Sequence, residues 1–224
     1  MRGKKPVIIV NFKTYKESTG MRALELARIH DTFAKNSKAE VMIAVQATDI
    51  YRVSQEVNIP VLAQHVDPVI PGKNTGSILP ESVKEAGASG TLLNHSEHRV
   101  SLDVLKQSIL RCKDMGLKTI VCTPTIEEAK NIAKLNPDYL AFEEPSLIGT
   151  LKSVSKLKPE IVKQFAETIR EINPEIVPLC GAGIANGEDV KVALELGTCG
   201  VLIATAVVKE KKPEKSLSDL TACC

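Results

Sequence analysis

The chain repeats one pattern eight times: a short apolar run rich in β-branched residues, a polar stretch, then apolar residues at helical spacing. The apolar runs are Pro6–Val10, Val41–Val45, Pro60–Gln64, Thr91–Leu93, Lys118–Cys122, Asp138–Phe142, Ile176–Cys180 and Gly200–Ala204. They are nearly continuous rather than alternating with polar residues, as strands buried on both faces are. The segments between them read as helices, Ala23–Lys35 among them. In Ser101–Gly116, Leu102, Leu105, Ile109 and Cys112 share one helical face, and Gly116 supplies a C-cap. Another helix starts near Pro159 with the stripe Ile161, Phe165, Ile169 and Ile172. Strands alternating with helices predict a parallel sheet covered by helices. Eight such units in 224 residues predict an α/β fold closed as a (β/α)8 barrel, a single domain over 1–224 without linker or low-complexity tract. No Gly-x-Gly-x-x-Gly follows the first run, which weighs against an open dinucleotide-binding sheet.

Composition narrows the function. A formal net charge of +2 gives no field that draws the chain to nucleic acid or anionic lipid. No apolar run approaches the ~20 residues of a membrane span. Basic residues precede the first run, as in a signal peptide, but that run breaks at Asn11–Phe12–Lys13, short of the roughly 7–15 residues such a segment needs. It reads as a first strand, and the protein as cytoplasmic. Of the six cysteines, Cys112, Cys122, Cys180 and Cys199 are scattered and form no Cys-x-x-Cys pair. Cys223 and Cys224 are adjacent, but Thr221 holds the position a prenylated cysteine would need. All six read as ordinary thiols.

The chemistry of such a barrel sits at the C-terminal ends of its strands. After the first run come Asn11 and Lys13, two apart and so on one face of an extended segment. After the fourth comes the dense cluster Asn94, His95, Ser96, Glu97, His98 and Arg99, the last two expected on a helix turn. After the sixth comes EEPSLIGTLKSVSK, a stretch as long as a lid or binding loop. GAGIANGED (Gly181–Asp189) follows the seventh run, and Ala204–Thr205–Ala206 the eighth; their small residues expose N–H groups beside helix starts, a ready anion site. No acid cluster has metal-ligand spacing and no serine nucleophile elbow is present, so neither metal nor cofactor is implied. A lone Lys or His in a loop is ordinarily solvated or structural. Together, one cation, one imidazole, one or two carboxylates and a phosphate cradle suit proton abstraction next to a carbonyl.

With these motifs in view the chain resembles the triosephosphate isomerases, and in its brevity their archaeal branch. The likeness runs from Val7 to about Asp219 through NFKTY, AQHVDP, NHSEHR, NPDYLAFE, LIGT, CGAGI and GEDV. It implies interconversion of dihydroxyacetone phosphate and D-glyceraldehyde 3-phosphate without a cofactor. It implies that His95 is a neutral electrophile, which a nearby helix N-terminus would favour. Lys13 would draw in the phosphorylated substrate, Asn11 would hydrogen-bond beside it, and Glu97 would couple to the lysine. Backbone N–H groups around Ile148, Gly149, Gly183, Ala204 and Thr205 would hold the phosphate once the loop closes. The base is Glu143 or Glu144. The NPDY start and the five-residue step to Ile148 select Glu143, and only the Glu–Pro dipeptide favours Glu144.

Some positions depart from the family. Glu144 stands where the family's hinge has Pro, and Leu151 replaces a Gly of the lid; a Leu held at positive φ would strain the closed loop. The alternatives to an active isomerase are a barrel with weakened or lost turnover, kept for binding or assembly, and a barrel acting on another sugar phosphate. The loop His65–Ser77 is too long for a simple turn and carries Val66, Val69 and Ile70, which a monomer would expose. The resemblance implies a homodimer or homotetramer, with this loop and Thr75 inserted into a neighbouring subunit.

Overall fold

The structure, a computed structural model, describes residues 5–222; Cys223, Cys224 and the basic residues Arg2 and Lys4 lie outside them. Eight parallel strands pair in sequence order and close on themselves: β1 (Val7–Asn11), β2 (Glu40–Val45), β3 (Val61–Ala63), β4 (Gly90–Leu93), β5 (Lys118–Thr123), β6 (Tyr139–Glu143), β7 (Val177–Gly181) and β8 (Gly200–Ile203). Closure comes from β1, whose Val7 to Val10 register with Gly200 to Ile203 of β8. The predicted strands are found within a residue or two at each end.

The alternating direction of strand side chains divides the core in two. Val7, Ile9, Met42, Ala44, Leu62, Leu92, Ile120, Cys122, Ala141, Leu179 and Leu202 fill the barrel interior. Their neighbours, such as Ile8, Val10, Ile43, Val121 and Phe142, point outward and pack under the helices. The helices bury the expected stripes with frayed margins. Leu105, Ile109 and Cys112 of Leu102–Asp114 are buried, but Leu102, predicted on that face, is half exposed in the first turn. In Pro159–Ile172, Phe165 and Ile169 are buried, while Ile172 at the last position is exposed. Gly116 holds φ +63°, the left-handed conformation its C-capping role requires. Cys112, Cys122, Cys180 and Cys199 are free thiols.

Candidate active site

The strand period sets which side chains reach the barrel mouth. Ile9, Leu62 and Ala141 point inward, and two residues further on come Asn11, Gln64 and Glu143. Phe142 packs outward, so Glu144 follows it to the helix side. There its Oε2 lies 2.7 Å from Lys158 Nζ, and its Oε1 accepts from Ser146 Oγ at 2.9 Å. The two adjacent carboxylates are thus separated by the pleat. Only Glu143 faces the mouth.

Glu143 is buried, with Oε1 3.2 Å from Nε2 of His95, and Oε2 accepting from the Ser96 N–H at 3.3 Å. Gly181 on the neighbouring strand leaves it room, since a Cβ there would stand 3.0 Å from Glu143 Cγ. On its other side, Nδ1 of His95 accepts from the Glu97 N–H at 3.2 Å. An accepting Nδ1 leaves Nε2 as the ring's donor, the arrangement the family resemblance implies. The expected helix start is absent here. His95 opens a single turn, closed by the His98 N–H on its carbonyl at 2.8 Å, and the helix begins only at Leu102 behind the Ser101 cap. His98 and Arg99 accordingly sit in loop, and a turn amide rather than a helix N-terminus faces His95 Nδ1.

Glu97 serves a second neighbour, its Oε1 lying 2.7 Å from Nζ of the buried Lys13. Lys13 is not extended, as its two-residue spacing from Asn11 suggested, but turns out of the strand at φ +49°. That turn brings its N–H onto Asn11 Oδ1 at 2.9 Å. Gln64 Nε2 ties the pair together, within 3.2 Å of Asn11 Oδ1 and 2.9 Å of the Lys13 carbonyl. Neither Gln64 nor Ser96 emerged from the sequence as a site residue; the available signal for Gln64 was its place two residues past Leu62 on the inward face. The remaining polar residues of NHSEHR brace the loop. Asn94, at φ +59°, donates to the Cys122 carbonyl and to Glu128 Oε1, each at 3.0 Å, and Arg99 grips both oxygens of Glu128. Below the site, burial and the Glu143 carboxylate push the Cys122 thiol well above its ordinary pKa, which keeps it protonated and unreactive.

Ile148, Gly149, Gly183, Ala204 and Thr205 line one cleft with Asn11, Lys13, His95 and Glu143. At its rim the chain bends through Ala182 and Gly183, at φ +71° and +72°. A Cβ on Gly183 would come within 1.9 Å of the Lys152 carbonyl oxygen, so the descending arm of the lid rests on a residue that must be glycine. The left-handed residue of the lid is Gly149, at φ +72°. Leu151 does not take a positive φ in this lid conformation, and its side chain is exposed. Tyr15 OH lies 3.2 Å from Thr205 Oγ1, joining the loop after β1 to the loop after β8. Among the described residues no three His, Cys, Asp or Glu side chains are grouped to hold a metal ion.

In the loop after β3, Asp67 and Ile78 close the ends through Asp67 N–H to the Ile78 carbonyl at 2.9 Å and Ile78 N–H to Asp67 Oδ2 at 2.7 Å. Val66, expected at the surface, is buried beneath this closure; Val69 is half buried, and Ile70 and Thr75 are exposed.

Comparison with known proteins matches the family model described as triosephosphate isomerase over residues 6–221. A triosephosphate isomerase of Methanobacterium bryantii is 51% identical over 217 residues, which covers 97% of this chain and 96% of the relative. Those of Methanocaldococcus jannaschii and Methanothermus fervidus are 48% and 46% identical, with 96% of this chain covered in each case and 98% and 97% of the relatives.

Proposed function

The chain belongs to the triosephosphate isomerase family and is an intramolecular isomerase, and from that premise we propose that Glu143, His95 and Lys13 carry the interconversion of dihydroxyacetone phosphate and D-glyceraldehyde 3-phosphate. Glu143 takes a proton from the carbon next to the carbonyl, and the electron pair of that C–H bond becomes the carbon–carbon double bond of an enediolate. His95 Nε2–H donates to the oxygen on which charge develops, and passes the proton between the two enediolate oxygens. Lys13 supplies the nearby positive charge, held by Glu97 and kept in register with Asn11 through Gln64. Glu143 then returns a proton to the adjacent carbon. Backbone N–H groups of Gly149, Gly183 and Thr205 bind the phosphate. The lid over them keeps out water, in which the enediolate would expel its phosphate.

The observation that carries this reading is the meeting, at 3.2 Å in the cleft that Lys13 lines, of a buried carboxylate and an imidazole whose other nitrogen accepts from a backbone N–H. A coupled assay with glyceraldehyde 3-phosphate tests it. Turnover in the parent that collapses in Glu143→Gln is expected; a parent without turnover that still binds the phosphate would sink it.

The same reading includes a cytoplasmic homodimer, or a homotetramer. Its support is Ile70, exposed on the loop after β3, and a groove beside the cleft lined by Lys13, Gln64, His65, Glu97 and His98 that such a loop would fill. No described helix is long and apolar enough to cross a membrane.

A further inference from the structure

We propose that the ion pair between Glu144 and Lys158 braces the lid hinge and thereby positions Glu143, a role that rests on Glu143 being the base. Glu144 directly follows Glu143 and precedes the first turn of the lid, Pro145–Leu147. Its carboxylate reaches Lys158 Nζ at 2.7 Å and Ser146 Oγ at 2.9 Å. Lys158 belongs to the frame, not the lid. Its carbonyl accepts from the N–H groups of Ile161 and Val162, at 3.1 and 3.3 Å, where the long helix Pro159–Ile172 begins. That helix is fixed by the buried Val162, Phe165, Ala166 and Ile169.

The pair therefore joins the last residue before the lid to the start of the long helix after it, and the exposed tip of the lid lies between them, ahead of the buried Ser153, Val154 and Ser155. Without it the strand end carrying the base is free to follow the lid. With it, motion begins beyond Glu144, and Glu143 stays on the barrel rim. The lysine also holds the Glu144 carboxyl below its usual range, so the brace is charged at neutral pH. The far arm of the lid is secured separately, by Lys156 on Asp189 Oδ1 at 2.8 Å.

The backbone supplies an independent handle. Glu144 has φ −67° and ψ 110°, the φ to which a proline ring locks a residue. Glu144→Pro thus removes the carboxylate but restores stiffness by another route.

The test measures kcat, KM and 2-phosphoglycolate binding (a phosphorylated carboxylate that mimics the enediolate) in Lys158→Met, Glu144→Gln, Glu144→Pro and the double variant Glu144→Pro with Lys158→Met. A part-exposed pair predicts that Lys158→Met and Glu144→Gln lower kcat and weaken 2-phosphoglycolate by about two- to fivefold, with KM changed less. Glu144→Pro should keep the parent kcat, and should keep it also without Lys158. Parent-level kcat in both Lys158→Met and Glu144→Gln overturns the brace while leaving Glu143 as the base. So does a double variant no better than Lys158→Met alone. A loss of several orders of magnitude in Glu144→Gln, with Glu143→Gln active, would instead overturn the base assignment and the brace together.

Discussion

Nε2 of His95 and Oε1 of Glu143 stand 3.2 Å apart, so the proposed proton donor and the proposed base face each other directly when no substrate lies between them. Substrate must part them. The carboxylate then gives up its approach to His95 and its hydrogen bond from the Ser96 N–H for a carbon acid. Glu143→Gln should cut turnover by about 10²–10⁴-fold with substrate binding largely kept, because the amide holds the geometry but takes no proton. Steady-state kinetics beside equilibrium binding of 2-phosphoglycolate distinguishes the two effects.

For His95, the Glu97 amide on Nδ1 suits the proposed neutral ring with its hydrogen on Nε2. His95→Gln should lower kcat by about 10²–10³-fold with a smaller change in binding, since the lost hydrogen bond matters most as the enediolate forms. Nitrogen NMR of the free enzyme at pH 7 should show one protonated and one bare ring nitrogen; imidazolium shifts would refute the donor role.

The lid carries its strained conformation at Gly149 rather than at Leu151. A Cβ at Gly149 would meet nothing within 4 Å, so Gly149→Ala changes backbone preference alone. The left-handed penalty of about 1–2 kcal/mol should lower turnover by about five- to thirtyfold at unchanged thermal stability. Leu151→Gly, by contrast, should be neutral or slightly harmful, through a looser loop. If Leu151→Gly speeds turnover, the closed lid needs a positive φ at 151 that this conformation does not have.

His30 is fully buried in the helix Met21–Ala34, its ring 5.3 Å from that of Phe12, with Nδ1 on the Leu26 carbonyl and Nε2 unpartnered. Burial lowers its pKa from 6.5 to about 4. The unfolded chain binds this proton below about 6.5, while the folded state refuses it down to about 4, so His30 drains stability as pH falls through that window. At 1.36 kcal/mol per pH unit the whole window corresponds to about 3 kcal/mol. Urea unfolding at pH 7 and pH 4 should show a loss smaller by about that amount in His30→Leu; equal losses in the two proteins would exclude His30 as the source.

Ile70→Asp places a charge on the exposed tip of the loop after β3. In a homo-oligomer it should shift light-scattering mass toward the 24.2 kDa monomer and reduce activity, because Lys13 and His95 line the neighbouring groove. A parent that is already a fully active monomer would end the oligomer reading.

Much of this was legible in the sequence because each strand carries its own signal. Nearly unbroken runs such as Val7–Val10 and Leu140–Phe142 are apolar on both faces only if both faces are covered, and that implies the barrel. Asn11, Lys13, His95 and the carboxylates Glu143 and Glu144 were readable as polar residues just past such runs, and the family resemblance chose Glu143 between the last two. What escaped depends on approach between distant segments. Gln64 and Asn11 are 53 residues apart, and Tyr15 and Thr205 are 190 apart. No local pattern marks a hydrogen bond made across the mouth of a closed sheet. Val66 and Leu102 failed for a related reason. Whether a loop folds back over an apolar side chain, or a helix's first turn overhangs its neighbour, is settled by tertiary packing and not by spacing.

The pairing of β1 with both β2 and β8 has a consequence for how the protein comes into being. Asn11 and Lys13 lie at the end of, and just past, the first of the barrel's eight strands to be made, yet that strand gains its second neighbour only when Gly200–Ile203 has emerged. For most of synthesis one edge of β1 is unpaired, an invitation to foreign strands. A nascent chain stalled before β8 should therefore hold every acid and base of the site and still isomerise nothing, while being the species most in need of a chaperone.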